Sequence, residues 1–123
     1  MISYVTLGVS DLSAAKVFYG ELLADLGGKT LIDMDRICFI GKSMAEPMLA
    51  VCTPFNQEPA QAGNGAMVSF APGTKEAVDA MYNKAIELGA TCDGAPGQRI
   101  PDMFYGAYVK DVDGNKLCFS HFG

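Results

Sequence analysis

Residues 67–89 repeat the pattern of residues 4–26 at an offset of 63 that closes to 62 near the end. Tyr4-Val5-Thr6-Leu7-Gly8 lies over Met67-Val68-Ser69-Phe70-Ala71, Phe18-Tyr19 over Met81-Tyr82, Leu23 over Ile86, and Leu26-Gly27 over Leu88-Gly89. Apolar positions fall on apolar positions throughout. A strand-then-helix start that recurs halfway along a 123-residue chain implies two similar modules sharing one core. The space such modules enclose is the first place to look for function.

Each module reads βαβββ. In the first, residues 2–9 alternate as a half-buried strand, and Ser10 or Asp11 caps a helix bearing Leu12, Ala15, Phe18, Tyr19, Leu22, Leu23 and Leu26 at helical spacing. Gly27-Gly28 stops it, and strands follow at 29–33, 36–41 and 48–53. In the second, a strand at 66–71 leads to a Thr74-capped helix that ends at Gly89. Strands at 91–93, 105–110 and 116–121 follow, the last two joined by a tight turn at Asp111-Val112-Asp113-Gly114-Asn115. Residues 94–103, with Pro96-Gly97 and Pro101, read as a loop. The chain is expected to be a single domain: module one about 1–53, a Pro/Gly/Gln/Asn-rich linker about 54–65, and module two about 66–123.

Half the residues are hydrophobic, so the chain can bury a substantial core without disulfides or metal. A net charge of -5 argues against a nucleic-acid backbone or an anionic membrane as partner. No apolar run is long enough to span a bilayer, and the N-terminus enters a strand pattern without the features of a signal peptide. Cys38, Cys52, Cys92 and Cys118 lack the close spacing of zinc or redox motifs, which suits a reduced, cytoplasmic protein.

The residues Tyr4-Val5-Thr6-Leu7-Gly8-Val9-Ser10-Asp11-Leu12, Phe18-Tyr19, Gly63-Asn64-Gly65, Asp93-Gly94-Ala95-Pro96-Gly97-Gln98-Arg99 and Tyr108-Val109-Lys110-Asp111-Val112-Asp113-Gly114-Asn115-Lys116-Leu117 carry a family resemblance over essentially the whole length. The chain resembles the vicinal oxygen chelate superfamily, the glyoxalase, bleomycin-resistance and extradiol-dioxygenase group. The closing strand–Asp-x-Asp-Gly-Asn–strand hairpin is its most specific piece. The resemblance implies an α+β fold in which two βαβββ modules form a curled mixed sheet around a cavity, often completed in a homodimer. It also implies a divalent metal, held by His, Glu, His and Glu on the first and last strands of each module.

Those four positions fall on Tyr4, Ala50, Met67 and Cys118. None is His, Asp or Glu, so a hard divalent cation lacks its usual ligands and no cofactor is expected. The metal-ligating glutamate that serves glyoxalase I as base is missing with it.

The candidates that remain each carry two readings. Cys118 is a cavity-facing nucleophile activated by Lys116, or a small apolar filler of its strand. Tyr4, Cys118 and Lys116 are the weak catalytic candidates. Arg99 clamps a substrate carboxylate or phosphate, or is a solvated or dimer-contact arginine. Tyr105 and Tyr108 accompany it, as ligand contacts or as core aromatics. Tyr4, Thr6, Met67, Ser69, Arg99, Tyr108 and Cys118 form the expected ligand-binding set, with Met103 and Phe104 adding apolar lining. His121, the only histidine, lies by strand alternation on the face opposite Cys118.

Three functions compete. The first is a small-molecule-binding protein of the glyoxalase/bleomycin-resistance type without the family metal. The second is a glyoxalase-like lyase or isomerase with a non-standard site. The third is a structural or regulatory dimer module whose cavity has filled.

Overall fold

The repeat becomes two compact units, Met1–Gln61 and Ala62–Gly123, and the computed structural model describes all 123 residues. The first unit runs β1 (Tyr4–Gly8), α1 (Leu12–Ala24), β2 (Lys29–Asp33), β3 (Ile37–Gly41) and β4 (Met48–Cys52). The second runs β5 (Met67–Phe70), α2 (Lys75–Glu87), β6 (Thr91–Ile100), β7 (Phe104–Lys110) and β8 (Lys116–Phe122). The fold is α+β, as expected. Each unit holds its own four-stranded mixed sheet, ordered β1-β4-β3-β2 and β5-β8-β7-β6, and neither closes into a barrel.

The units are built by the same local rules. Asp11 accepts a hydrogen bond from the Ala14 amide at 3.1 Å, and Thr74 accepts one from the Ala77 amide at 3.0 Å. These N-caps stand 63 residues apart and each opens a helix of 13 residues. Both helices end on a left-handed glycine, Gly27 at φ 82° and Gly89 at φ 106°. The following amide returns to the helix in both cases, Gly28 to the Leu23 carbonyl and Ala90 to the Ala85 carbonyl.

In the first unit Cys38, Ile40, Leu49 and Val51 bury against Tyr19, Leu22 and Leu23 of α1. A Lys16–Asp33 ion pair at 2.6 Å ties the helix to β2. In the second unit Val109, Leu117 and Phe119 bury on the side of α2, with Val78 and Ala85 of the helix among the core residues. Full burial of a Leu or Phe side chain contributes about 1.5–3 kcal/mol, so these strips hold helix to sheet. Neither helix is long and apolar enough to cross a membrane.

The second unit corrects one expectation. Residues 94–100 are not a loop: β6 continues to Ile100 and pairs antiparallel with β7 through three register shifts. Glycines at 94 and 97 and a proline at 96 are tolerated because β6 is an edge strand, where a missing amide donor leaves no ladder bond broken on the open side. Arg99 is therefore carried on a strand.

Candidate functional site

Residues paired across a ladder share a face, so the register sorts the second sheet into two sides. Tyr105, Ala107 and Val109 pair with His121, Phe119 and Leu117. The Tyr105 hydroxyl donates to Asp79 of α2 at 2.6 Å, which fixes this as the helix side. Tyr108 pairs with Cys118, Lys110 with Lys116, Ser69 with Cys118 and Met67 with Lys116, and these occupy the other side. The structure thus separates two residues expected to act together: Tyr108 stands on the open side and Tyr105 on the helix side. His121 lies with Leu117 and Phe119, opposite Cys118.

On the open side the polar groups converge on one ring. The Arg99 guanidinium carbon lies 5.5 Å from the Tyr108 ring centroid, and the Lys116 ammonium lies 5.1 Å from it. Two cations at one aromatic ring gain from its quadrupole, at about 0.5–1 kcal/mol each where solvent reaches them. Lys116 is also paired with Asp93 at 3.2 Å. Arg99 donates from Nη2 to the Ala95 carbonyl of its own strand and has no carboxylate partner. Two glycines make room for it. A Cβ at Gly97 would come within 2.7 Å of Arg99 Nη1, and one at Gly94 within 3.3 Å of Nη2 and 2.9 Å of the Tyr108 ring.

The remaining expected residues of this sheet are placed as follows. Cys118 has no exposed surface, whereas Met67 is 46% exposed at the sheet edge. Ser69 is exposed, and its hydroxyl is hydrogen-bonded to that of Ser120 at 2.8 Å. Met103 is exposed beyond the end of β6, and Phe104 packs edge-on against Phe122 at 5.2 Å.

The first unit's sheet has the matching arrangement. Tyr4 pairs with Met48 and Thr6 with Ala50, as Met67 pairs with Lys116 and Ser69 with Cys118. Tyr4 is 47% exposed and stacks edge-on against Phe39 at 4.8 Å; Thr6 is exposed and Ala50 fully buried.

The donor chemistry of the four family metal positions does not fit a hard divalent ion. The first unit supplies a phenol, Tyr4, and an alanine without a donor atom, Ala50. The second supplies a thioether, Met67, and a buried thiol, Cys118. Magnesium, calcium and manganese select carboxylates, carbonyls and water, and thiolate and thioether select softer metals. Within either unit no three His, Cys, Asp or Glu side chains are gathered as ligands. The hairpin carboxylate expected to make a turn does so: Asp111 Oδ1 accepts from the amides of Asp113 and Asn115 at 3.0 and 2.8 Å, and Oδ2 from the Asn115 side chain at 3.0 Å.

Sequence reasoning missed the Asp93–Lys116 pair and the seating of Arg99. The spacing Gly94-x-x-Gly97-x-Arg99 was the available signal, because a long side chain folding back along its own strand needs positions without Cβ.

Comparison with known proteins agrees with this architecture. Residues 1–119 match the family model described as the Glyoxalase/Bleomycin resistance protein/Dioxygenase superfamily. A crystal structure of a glyoxalase/bleomycin resistance protein from Albidiferax ferrireducens T118 is 38% identical, with a TM-score of 0.87 over 98% of each chain. Hypothetical protein SA1046 from S. aureus is 25% identical, with a TM-score of 0.74 over 98% of this chain and 91% of that one. A family enzyme from Burkholderia phytofirmans PsJN, 23% identical, shares the fold with a TM-score of 0.76 over 96% of this chain and 95% of its own. A search of curated proteins returns no match. With the duplicated βαβββ units, the family hairpin and a near-full-length match in agreement, the chain belongs to the glyoxalase/bleomycin resistance protein/dioxygenase superfamily.

Proposed function

We propose that this chain binds a small organic molecule on the open side of the second unit's sheet, and does so without the family metal. The observation that carries the reading is Arg99: an unneutralised guanidinium, anchored to the Ala95 carbonyl and seated on Tyr108, in a chain of net charge -5. A planar fork held in place loses little entropy when it meets a carboxylate, and such pairs are bidentate. Met67 and the Tyr108 ring offer apolar area for the ligand body. The ligand is then an organic acid, with its carboxylate on Arg99 and its hydrocarbon part on Tyr108 and Met67. Recognition of this kind needs burial and charge pairing and no Lewis acid. Cys118, a candidate nucleophile in sequence, has no exposed surface, which supports binding over covalent chemistry. Four free cysteines support a reducing compartment, and we extend the proposal to a cytoplasmic homodimer, checked by light scattering on the 13.0 kDa chain.

Calorimetry tests the reading with two titrations. Nickel, zinc and manganese should give no stoichiometric binding to metal-stripped protein, and a panel of aromatic and aliphatic carboxylic acids should contain a saturable ligand. Arg99→Lys should weaken that ligand about tenfold, corresponding to about 1.4 kcal/mol. Tight metal binding, or an affinity unchanged in Arg99→Lys, would sink it.

A further inference from the structure

Lys110 and Lys116 stand directly opposite each other across the β7–β8 ladder. Like charges in a cross-strand pair repel, and natural sheets place opposite charges or neutral residues there. Asp93 relieves only one side, through its 3.2 Å contact with Lys116. Lys110 is exposed and enters no ion pair. One positive charge is thus left uncompensated on an acidic chain.

Both lysines line a groove of about 540 Å³ within the second unit, a size that accommodates a small organic molecule. Its other wall is the segment Ala62-Gly63-Asn64-Gly65-Ala66, where small side chains and a left-handed Gly65 at φ 89° leave space and put an amide side chain, Asn64, at the rim. Gly114 of the hairpin turn, Met67 and the carboxylate-bearing Asp93 complete the lining. The glycine pair at 63 and 65 has no cation in its own sequence neighbourhood; the sheet brings two to it from β7 and β8.

We propose that this groove binds the phosphate group of a small organic phosphate. Two ammonium groups on flexible stems are point charges without a planar fork, and they match a phosphate of charge near −2 better than a single carboxylate. The phosphate takes the position between Lys110 and Lys116, Asn64 donates from its amide, and Met67 borders the ester group. Asp93 keeps its place against Lys116 and limits affinity at that side. The site does not use Arg99 and stands whether or not the organic-acid reading holds.

The test is a titration of the full chain with inorganic phosphate and then phenyl phosphate, followed by phosphorus NMR and calorimetry in low-salt buffer, where charge pairing is least screened. Saturable one-site binding is expected for both. Lys110→Gln should weaken it about fivefold or more, Lys110→Arg should restore most of it, and Arg99→Lys should leave it unchanged, with thermal midpoints near that of the parent chain. Absence of saturation, equal affinity in Lys110→Gln, loss in Arg99→Lys, or benzoate binding that Lys110→Gln weakens as much as phosphate binding would each overturn the assignment.

Discussion

Arg99 folds back along its own strand to lie over Tyr108, 5.5 Å from the ring centroid, through the space that Gly94 and Gly97 leave open. The two glycines are required for different reasons, and this separates site geometry from stability. At Gly97 a methyl group would meet only the tip of Arg99 at 2.7 Å, and a flexible tip moves. Gly97→Ala should therefore keep its thermal midpoint within a degree or two and lose affinity for an Arg99-dependent ligand. At Gly94 the backbone holds φ 151°, and the methyl group would press on the Tyr108 ring at 2.9 Å. Gly94→Ala should destabilise by about 1–3 kcal/mol, read by chemical denaturation. Equal stability loss in the two variants would contradict this division.

The four thiols are predicted to react in two classes. Cys92 is exposed, whereas Cys38, Cys52 and Cys118 are buried. Burial pushes the Cys38 thiol up from its ordinary range, which lowers its thiolate fraction further. A disulfide-exchange reagent should titrate one thiol rapidly in the native protein and all four in denaturant. Cys118→Ala should leave the fast phase intact, and Cys92→Ala should remove it. A fast phase lost in Cys118→Ala would restore Cys118 as a nucleophile candidate.

The repeat, both helix caps and the closing hairpin were legible because each depends on residues within one or two turns of the chain. Asp11 and Thr74 sit where their side chains reach an amide three residues on, and Gly27 and Gly89 where a left-handed residue ends a helix. The sorting of Tyr105 and Tyr108 was also legible in principle, since an odd offset on one strand puts side chains on opposite faces. Strand β6 was not. Pro96 and two glycines suggest a loop by composition, and only the strand order shows that an edge position tolerates them. Its three register shifts then scramble the alternation, so the approach of Arg99 to Tyr108 depends on bulges that no local pattern encodes. The opposition of Lys110 and Lys116, by contrast, follows from the hairpin once the turn is fixed at five residues.

Asp111 is a structural carboxylate. It is buried, and its two oxygens accept three hydrogen bonds that close the turn to Asn115. Replacing it leaves two amides and a carboxamide short of an acceptor in a confined place. Asp111→Ala should cost about 2–4 kcal/mol, since buried hydrogen bonds to a charged group are worth about 1.5–3 kcal/mol and orphaned donors add to the loss. Asp111→Asn, which keeps one oxygen acceptor at the same place, should cost less than Asp111→Ala. Addition of calcium should not raise the midpoint of the parent chain, because the Asp111 carboxylate is already engaged by these donors.

Tyr105 gives the fold a measurable alkaline limit. Its hydroxyl donates to Asp79 at 2.6 Å, and this bond raises its pKa above the ordinary 10, with burial and the Asp79 charge acting in the same direction. The protonated phenol is the form that makes the bond. A folded pKa above the unfolded one means that the contribution is fully present below about pH 10 and is lost as pH rises through the folded value. Tyr82 titrates late for a related reason, its hydroxyl being hydrogen-bonded with Cys92. Ultraviolet titration should therefore show the Tyr105 and Tyr82 phenols ionising above the ordinary range. Tyr105→Phe should remove one late step, and Asp79→Asn should move it back toward 10. If Tyr105→Phe instead removes an ordinary step near 10, the tie between β7 and α2 does not persist in solution.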